Sequence, residues 1–278
     1  MLIPIGGFVL FLAFKFVRDQ LHVVPRAQQA PVESRVVPNV GRASARPGRA
    51  EARPTSASHR GDIVLILDDV GFDHQPLATA MRIDPNVNFS ILPNAVHAHD
   101  FAETLHRNGF EVLCHLPMEP LGYPRTSPGP NAVLTSMSND EITRTTRDDI
   151  AGVPYAMGVN NHMGSRATTD TRVMTTVLSA MPKGLYFIDS RTGPGSVAEK
   201  IAREMKIPTA SRQVFLDDVQ REGAVRQQLD QLAAAAEERG VAIGIGHMYD
   251  VTVRVLTSEM PNLRSRGFRL VRASKAVE

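Results

Sequence analysis

The chain has 278 residues, 42% of them hydrophobic, which suits a single α/β domain of ~200–250 residues with a full core. The net charge of +2 hides an uneven spread: residues 23–60 hold seven arginines against two acids, so the remainder is slightly acidic and gives no compositional support for nucleic-acid binding. The single cysteine, Cys114, excludes an internal disulfide and a cysteine-built zinc site, and 5% aromatic residues without tryptophan speak against an extended aromatic glycan groove.

Residues 2–14 are apolar and are followed by Lys15 and Arg18. The run is shorter than the ~20 residues of a full membrane span. Phe16, Val17 and residues 21–24 extend it if the two cations reach out to the interface. Neither a positive leading segment nor a small-residue cleavage site is clear. We therefore expect residues 1–22 to form a membrane anchor or an uncleaved signal, with the protein anchored in the inner membrane or periplasmic. Residues 23–60 are rich in Pro, Ala, Arg and Ser without apolar periodicity, the composition of a disordered linker.

From Gly61 onward, apolar strand-like runs alternate with helical patterns, so residues 61–278 are expected to be the folded domain. The expected strands are 63–67, 87–92, 111–115, 155–159, 185–188, 213–216, 241–246 and 269–272. The expected helices are 76–82, 97–108, 139–151, 169–181, 195–206, 221–239 and 252–266. Ser138 with Glu141, and Ser196 with Glu199, have capping-box spacing. Gly109, Gly184, Gly240 and Gly267 fall just past helix ends, where a left-handed turn favours glycine. Such βα alternation implies a parallel sheet, closed as a barrel or doubly wound. Cys114 falls in a strand and is expected to be a small core residue. Segment 118–138 reads as a long loop directly after a strand, a common place for function.

The run Ile63-Val64-Leu65-Ile66-Leu67 reads as a strand buried on both faces, and it ends in Asp68 and Asp69. These two could simply cap the following turn. The other strand ends are also polar: His115 and Glu119; Asn160, Asn161, His162 and Arg166; Asp189, Ser190 and Arg191; Asp217 and Asp218; His247, Tyr249 and Asp250. Parallel strands gather their C-terminal ends on one rim, where α/β folds place their chemistry. Three histidines with several carboxylates on one rim suit a divalent metal: zinc first, manganese or magnesium for more oxygen-rich sets. His97, His99 and His106 lie on or beside a helix and read as surface residues. His74, close to the aspartate pair, could lie just behind the site.

The succession Leu67-Asp68-Asp69, His115-x-x-x-Glu119, Asn160-Asn161-His162-Met163-Gly164-Ser165, Phe187-Ile188-Asp189-Ser190-Arg191-Thr192 and Ile243-Gly244-Ile245-Gly246-His247 resembles the divergent polysaccharide deacetylase family. The likeness spans residues 62–272. It implies an α/β fold, a distorted (β/α)7-type barrel with parallel strands, and a metal-dependent hydrolase removing N- or O-acetyl groups from a cell-envelope glycan. By the same resemblance Asp68 is the base, Asp69 and His115 bind the metal, and His247 is the acid. Ordinary deacetylases end their third strand in His-x-x-x-His. Here Glu119 stands at the second histidine, so the third ligand falls to Glu119 or His162. Asp189 and Arg166 are expected to orient or polarise. The other implied reading is a catalytically altered barrel that binds envelope glycan or serves as a protein scaffold.

Overall fold

The computed structural model describes residues 58–278. Its elements run β1 (Gly61–Val70), α1 (Leu77–Ala80), β2 (Asn88–Ile91), α2 (Ala98–Arg107), β3 (Glu111–Met118), α3 (Asn139–Ala151) and β4 (Ala156–Met163). They continue with α4 (Thr171–Ala180), β5 (Tyr186–Asp189), α5 (Ala198–Glu204), β6 (Thr209–Ser211) and β7 (Val214–Phe215). The last are α6 (Glu222–Arg239), β8 (Val241–His247), α7 (Asp250–Ser265) and β9 (Phe268–Leu270). Among the described residues no helix is long and apolar enough to cross a membrane. The expected anchor at 1–22 and nearly all of the linker at 23–60 lie outside the described residues.

All strand pairs are parallel, in the order β6-β5-β4-β3-β2-β1-β8-β7, with β9 beside the start of β1. β6 and β7 stand at opposite ends of that order, yet only Arg212 and Gln213 separate them in sequence. Two residues span too little distance to cross a flat sheet, so the sheet must curl until its edges approach. The result is a curled, incompletely closed barrel of the (β/α)7 type with helices outside.

Alternation along the strands divides the core. On β1, Ile63, Leu65 and Leu67 pack outward with helix residues such as Leu105, Leu232 and Leu256. Val64 and Ile66 face the barrel interior with Leu113, Ile188, Ile243 and Ile245. Packing is close on both faces: inside, a Cβ on Gly158 would lie 2.3 Å from the Tyr186 ring, and outside, one on Gly244 would lie 2.4 Å from Leu232 of α6. At the N-terminal end the barrel is closed by the chain after β9, where Ala273 N donates to Asn88 Oδ1 at 2.9 Å and Ser274 N to Glu111 Oε1 at 2.8 Å.

The expected strands appear near their expected places, with instructive differences. β1, β3 and β4 run past their apolar stretches through Val70, Met118 and Met163. Their polar ends therefore belong to the ladder and not to the loops. β6 was not expected, because Thr209-Ala210-Ser211 has no apolar run and is an edge strand defined only by pairing with β5. The Ser138–Glu141 capping box forms. The one at Ser196 does not: α5 starts later, at Ala198, Ser196 Oγ donates to Asp189 Oδ2, and Glu199 is engaged by Ser211 and Arg203. Gly109, Gly184, Gly240 and Gly267 all have positive φ. Cys114 is buried and free.

Candidate metal centre

Inward alternation continues above the apolar layer, and there the inward residues are polar. Asp68 on β1 pairs in register with His247 on β8, and His115 on β3 pairs with Asn160 on β4. His162 is the next inward residue of β4. Strict alternation would turn Asp69 away from the barrel. Two features bring it back. The register of β1 against β2 slips between Leu67 and Val70, three steps on β1 against two on β2, which is a bulge. Asp69 also has φ 56, a left-handed conformation that aspartate tolerates better than most residues. Gln75 holds the turn: its Nε2 donates to Asp69 O at 2.7 Å and its Oε1 accepts from Gly71 N at 2.9 Å and Phe72 N at 3.1 Å.

Three donor atoms then converge. His162 Nδ1 lies 3.0 Å and His115 Nε2 3.3 Å from Asp69 Oδ1, and the two ring nitrogens are 3.2 Å apart. One ligand atom from each of Asp69, His115 and His162 fits within 4.8 Å of the others. Asp69 Oδ1 is buried but accepts no hydrogen bond of good geometry. A buried oxygen is rarely left unpaired, and two imidazoles with one carboxylate form an established zinc donor set. The residues present therefore fit a divalent cation.

Around this trio lie Asp68 and His247. Asp68 is buried, with Oδ2 3.5 Å from His115 Nε2 and Oδ1 accepting from Asn160 Nδ2 at 2.9 Å. Burial holds its pKa above the ordinary carboxylate value, with Asp69 adding to it, against the pull of His115, His247 and Asn160. Burial would raise Asp69 as well, but contact with the His115 and His162 rings pulls it well below the usual range. Burial would lower His115, yet the Asp68 and Asp69 carboxylates outweigh it and the ring sits above its ordinary value.

His247 Nε2 is 3.7 Å from Asp69 Oδ2, while its Nδ1 lies 3.0 Å from Asp217 Oδ1. Asp217 is fixed in turn by accepting from His247 N at 2.7 Å and Thr252 Oγ1 at 2.6 Å. Burial opposes the charged ring, but Asp217, with Asp68 and Asp69 beyond it, pushes the His247 pKa up to about 9. These groups open into a pocket of about 400 Å³ whose other walls include Pro120, Met163, Ser190, Phe215 and Tyr249. A separate depression of about 310 Å³, beside Met181, Lys183 and Lys206, contains neither histidine nor carboxylate.

Three expected site residues lie elsewhere. Glu119, the alternative third ligand, turns away from Asp69: Oε2 accepts from Thr135 Oγ1 at 2.7 Å and Oε1 from Arg166 Nη1 at 3.0 Å. The β3–α3 loop consumes this carboxylate, and His162 occupies the position beside Asp69. Arg166 is committed to Glu119 and does not reach the pocket. Asp189 is buried and braces the β5–α5 loop, accepting from Arg191 N at 2.8 Å and Ser196 Oγ at 2.6 Å. His74 lines a neighbouring depression with Tyr249 and Asp250. Sequence reading assigned no role to Asn160, Asp217 or Gln75. The first two stand at polar strand ends, but nothing in their spacing names the partner that each meets.

The model of the divergent polysaccharide deacetylases matches residues 65–277. The uncharacterized protein YibQ of Escherichia coli K12 is 36% identical over 215 residues, covering 77% of this chain and 66% of that relative, so about a third of the relative's length lies outside the match. An uncharacterized protein of Haemophilus influenzae Rd is 33% identical over 202 residues, covering 72% of this chain and 71% of that one. Among solved structures, an uncharacterized protein of Agrobacterium tumefaciens C58 superposes with TM-score 0.75 at 25% identity, over 81% of this chain and 93% of its own. A putative cellobiose-phosphate cleavage protein of Enterococcus faecalis V583 shares the fold, with TM-score 0.53 at 13% identity, over 79% of this chain and all of its own. With the family model matching almost the entire described domain, the chain belongs to the divergent polysaccharide deacetylase family.

Proposed function

We propose that the protein is a metal-dependent hydrolase that removes acetyl groups, N-acetyl first, from a glycan of the cell envelope. The observation that carries the proposal is the convergence of Asp69, His115 and His162 on an otherwise unpaired buried oxygen, with Asp68 and His247 beside it. Asp69, His115 and His162 would hold a divalent cation, zinc by donor type. Such a cation supplies Lewis acidity to a water nucleophile and to the acetyl carbonyl.

The chain's own residues supply the rest. Asp68, held above the ordinary carboxylate range, takes a proton from the attacking water as its oxygen bonds to the acetyl carbon. His247, kept protonated by Asp217, donates a proton to the departing nitrogen. The C–N bond breaks, leaving acetate and a free amine. Phe215 and Tyr249 offer ring surfaces at the pocket wall for a sugar face. The few aromatic residues of the chain thus include two at the site, which meets the objection from composition.

Elemental analysis of the purified protein, paired with acetate release from envelope glycans, tests the proposal. We expect about one zinc per chain. Asp69→Asn should lose both metal and turnover. Asp68→Asn should keep the metal and lose ~10²–10⁴-fold in rate, as removal of a general base does. A wild-type protein that binds no metal and releases no acetate would leave the scaffold reading in its place.

A further inference from the structure

Asn160 is fully buried at the centre of the polar layer, and all four of its amide hydrogen-bonding positions are used. Nδ2 donates to Asp68 Oδ1 at 2.9 Å and to Ser190 Oγ at 3.2 Å. Oδ1 accepts from Ser90 Oγ and faces His115 Nδ1 at 2.9 Å. The amide cannot turn over: a flip would set its oxygen against the Asp68 carboxylate, leaving two acceptors face to face without a proton between them. With the amide so fixed, only its oxygen is presented to His115, and that oxygen accepts but cannot donate.

We propose that Asn160 is the positioning residue that sets the tautomer of His115. It holds the proton on Nδ1, so the Nε2 lone pair faces Asp69 and His162. A cation held between Asp69 Oδ1, His115 Nε2 and His162 Nδ1 would require this. Without a fixed acceptor at Nδ1, the neutral ring could carry its proton on Nε2, the tautomer that cannot bind a metal there. A metal-bound histidine usually donates its other N–H to a carboxylate, a carbonyl or water. Here the acceptor is a side-chain amide, itself locked by the carboxylate that we assign as the base. The inference rests on the metal-binding reading above, but it concerns a proton that can be located with or without a metal.

The test compares zinc affinity, by competition with a chromophoric chelator, for the wild-type protein, Asn160→Leu and Asn160→Asp. Leucine fills similar space and offers no acceptor, so affinity should fall by about 10–100-fold. In Asn160→Asp one carboxyl oxygen still accepts from Nδ1–H, and the other, sharing one proton with Asp68, replaces the lost N–H donor, so that variant should remain within a few-fold of wild type. Equal loss in both variants, or no loss in either, overturns the proposal. Long-range ¹H–¹⁵N correlation of the wild-type His115 ring covers the case in which neither variant folds. The neutral ring should carry its proton on Nδ1, and a proton on Nε2 overturns the proposal. If wild type binds no zinc but shows the Nδ1 proton, the metal reading fails and the tautomer assignment stands.

Discussion

Asp217 determines the charge on His247. Because the pKa of the folded ring, about 9, lies above its ordinary value of 6.5, the stabilisation from this charge is full below about pH 6.5. It fades as pH rises through about 9, where the ring loses its proton in both states. We therefore expect Asp217→Asn to cost most near pH 6 in chelator-treated protein, and progressively less toward pH 9.5. A constant remainder should persist from the lost contacts with His247 N and Thr252 Oγ1. Denaturant unfolding at several pH values measures this, and a pH-independent cost would refute it. At the same scale, Glu119 shows how far motif spacing reaches. The position equivalent to a ligand keeps its place in the strand-end motif, but its side chain finds closer partners in Thr135 and Arg166. Motif spacing registers backbone position and not the hydrogen-bonding competition around each side chain.

The barrel strands were legible as elements because their apolar runs must be buried on both faces. Their ends were not, because a polar inward residue such as Asn160 or His162 can stay in the ladder once neighbours satisfy it. The β1 bulge lies still further from view. Nothing in Leu67-Asp68-Asp69-Val70 announces an extra residue, yet the bulge, with the left-handed turn at Asp69, brings Asp69 back to the side that Asp68 already faces. Close packing gives the element-scale prediction. Gly158→Ala should destabilise by ~1–3 kcal/mol, since the added methyl meets the buried Tyr186 ring, which Glu111 Oε1 tethers at 2.7 Å. Gly223→Ala, in the first turn of α6 with nothing within 4 Å, should be neutral or stabilise by ~0.4–1 kcal/mol. Denaturant midpoints of the two variants decide this, and equal effects would contradict the packing account.

For the whole molecule, the ladder starts at Gly61 and the core lies between there and Ala273. We expect a fragment covering residues 58–278 to fold alone and to resist limited proteolysis, with cleavage of the full chain confined to residues 23–57. Early cuts within 85–250 would contradict that division. The apolar stretch at 2–14, the Arg/Pro-rich segment after it and the single cysteine lead us to propose that the domain works outside the cytoplasmic membrane. A reporter that is active only in the periplasm, fused after Glu278, should report activity. Activity confined to a cytoplasmic reporter would remove the envelope glycan as substrate.

The sequence alone determined the parallel α/β architecture, the gathering of polar residues on one rim, and the family. Periodicity and strand-end polarity are local properties, readable along the chain, and the family motifs are short. Tertiary structure alone decided that His162 and not Glu119 stands beside Asp69, that Asp217 charges His247, and that Asn160 links Asp68 to His115. Each of these pairs side chains from different strands or the loops just beyond them, separated by 30 to 93 residues. Such meetings depend on strand register, barrel curvature and one bulge, which emerge only when the sheet closes.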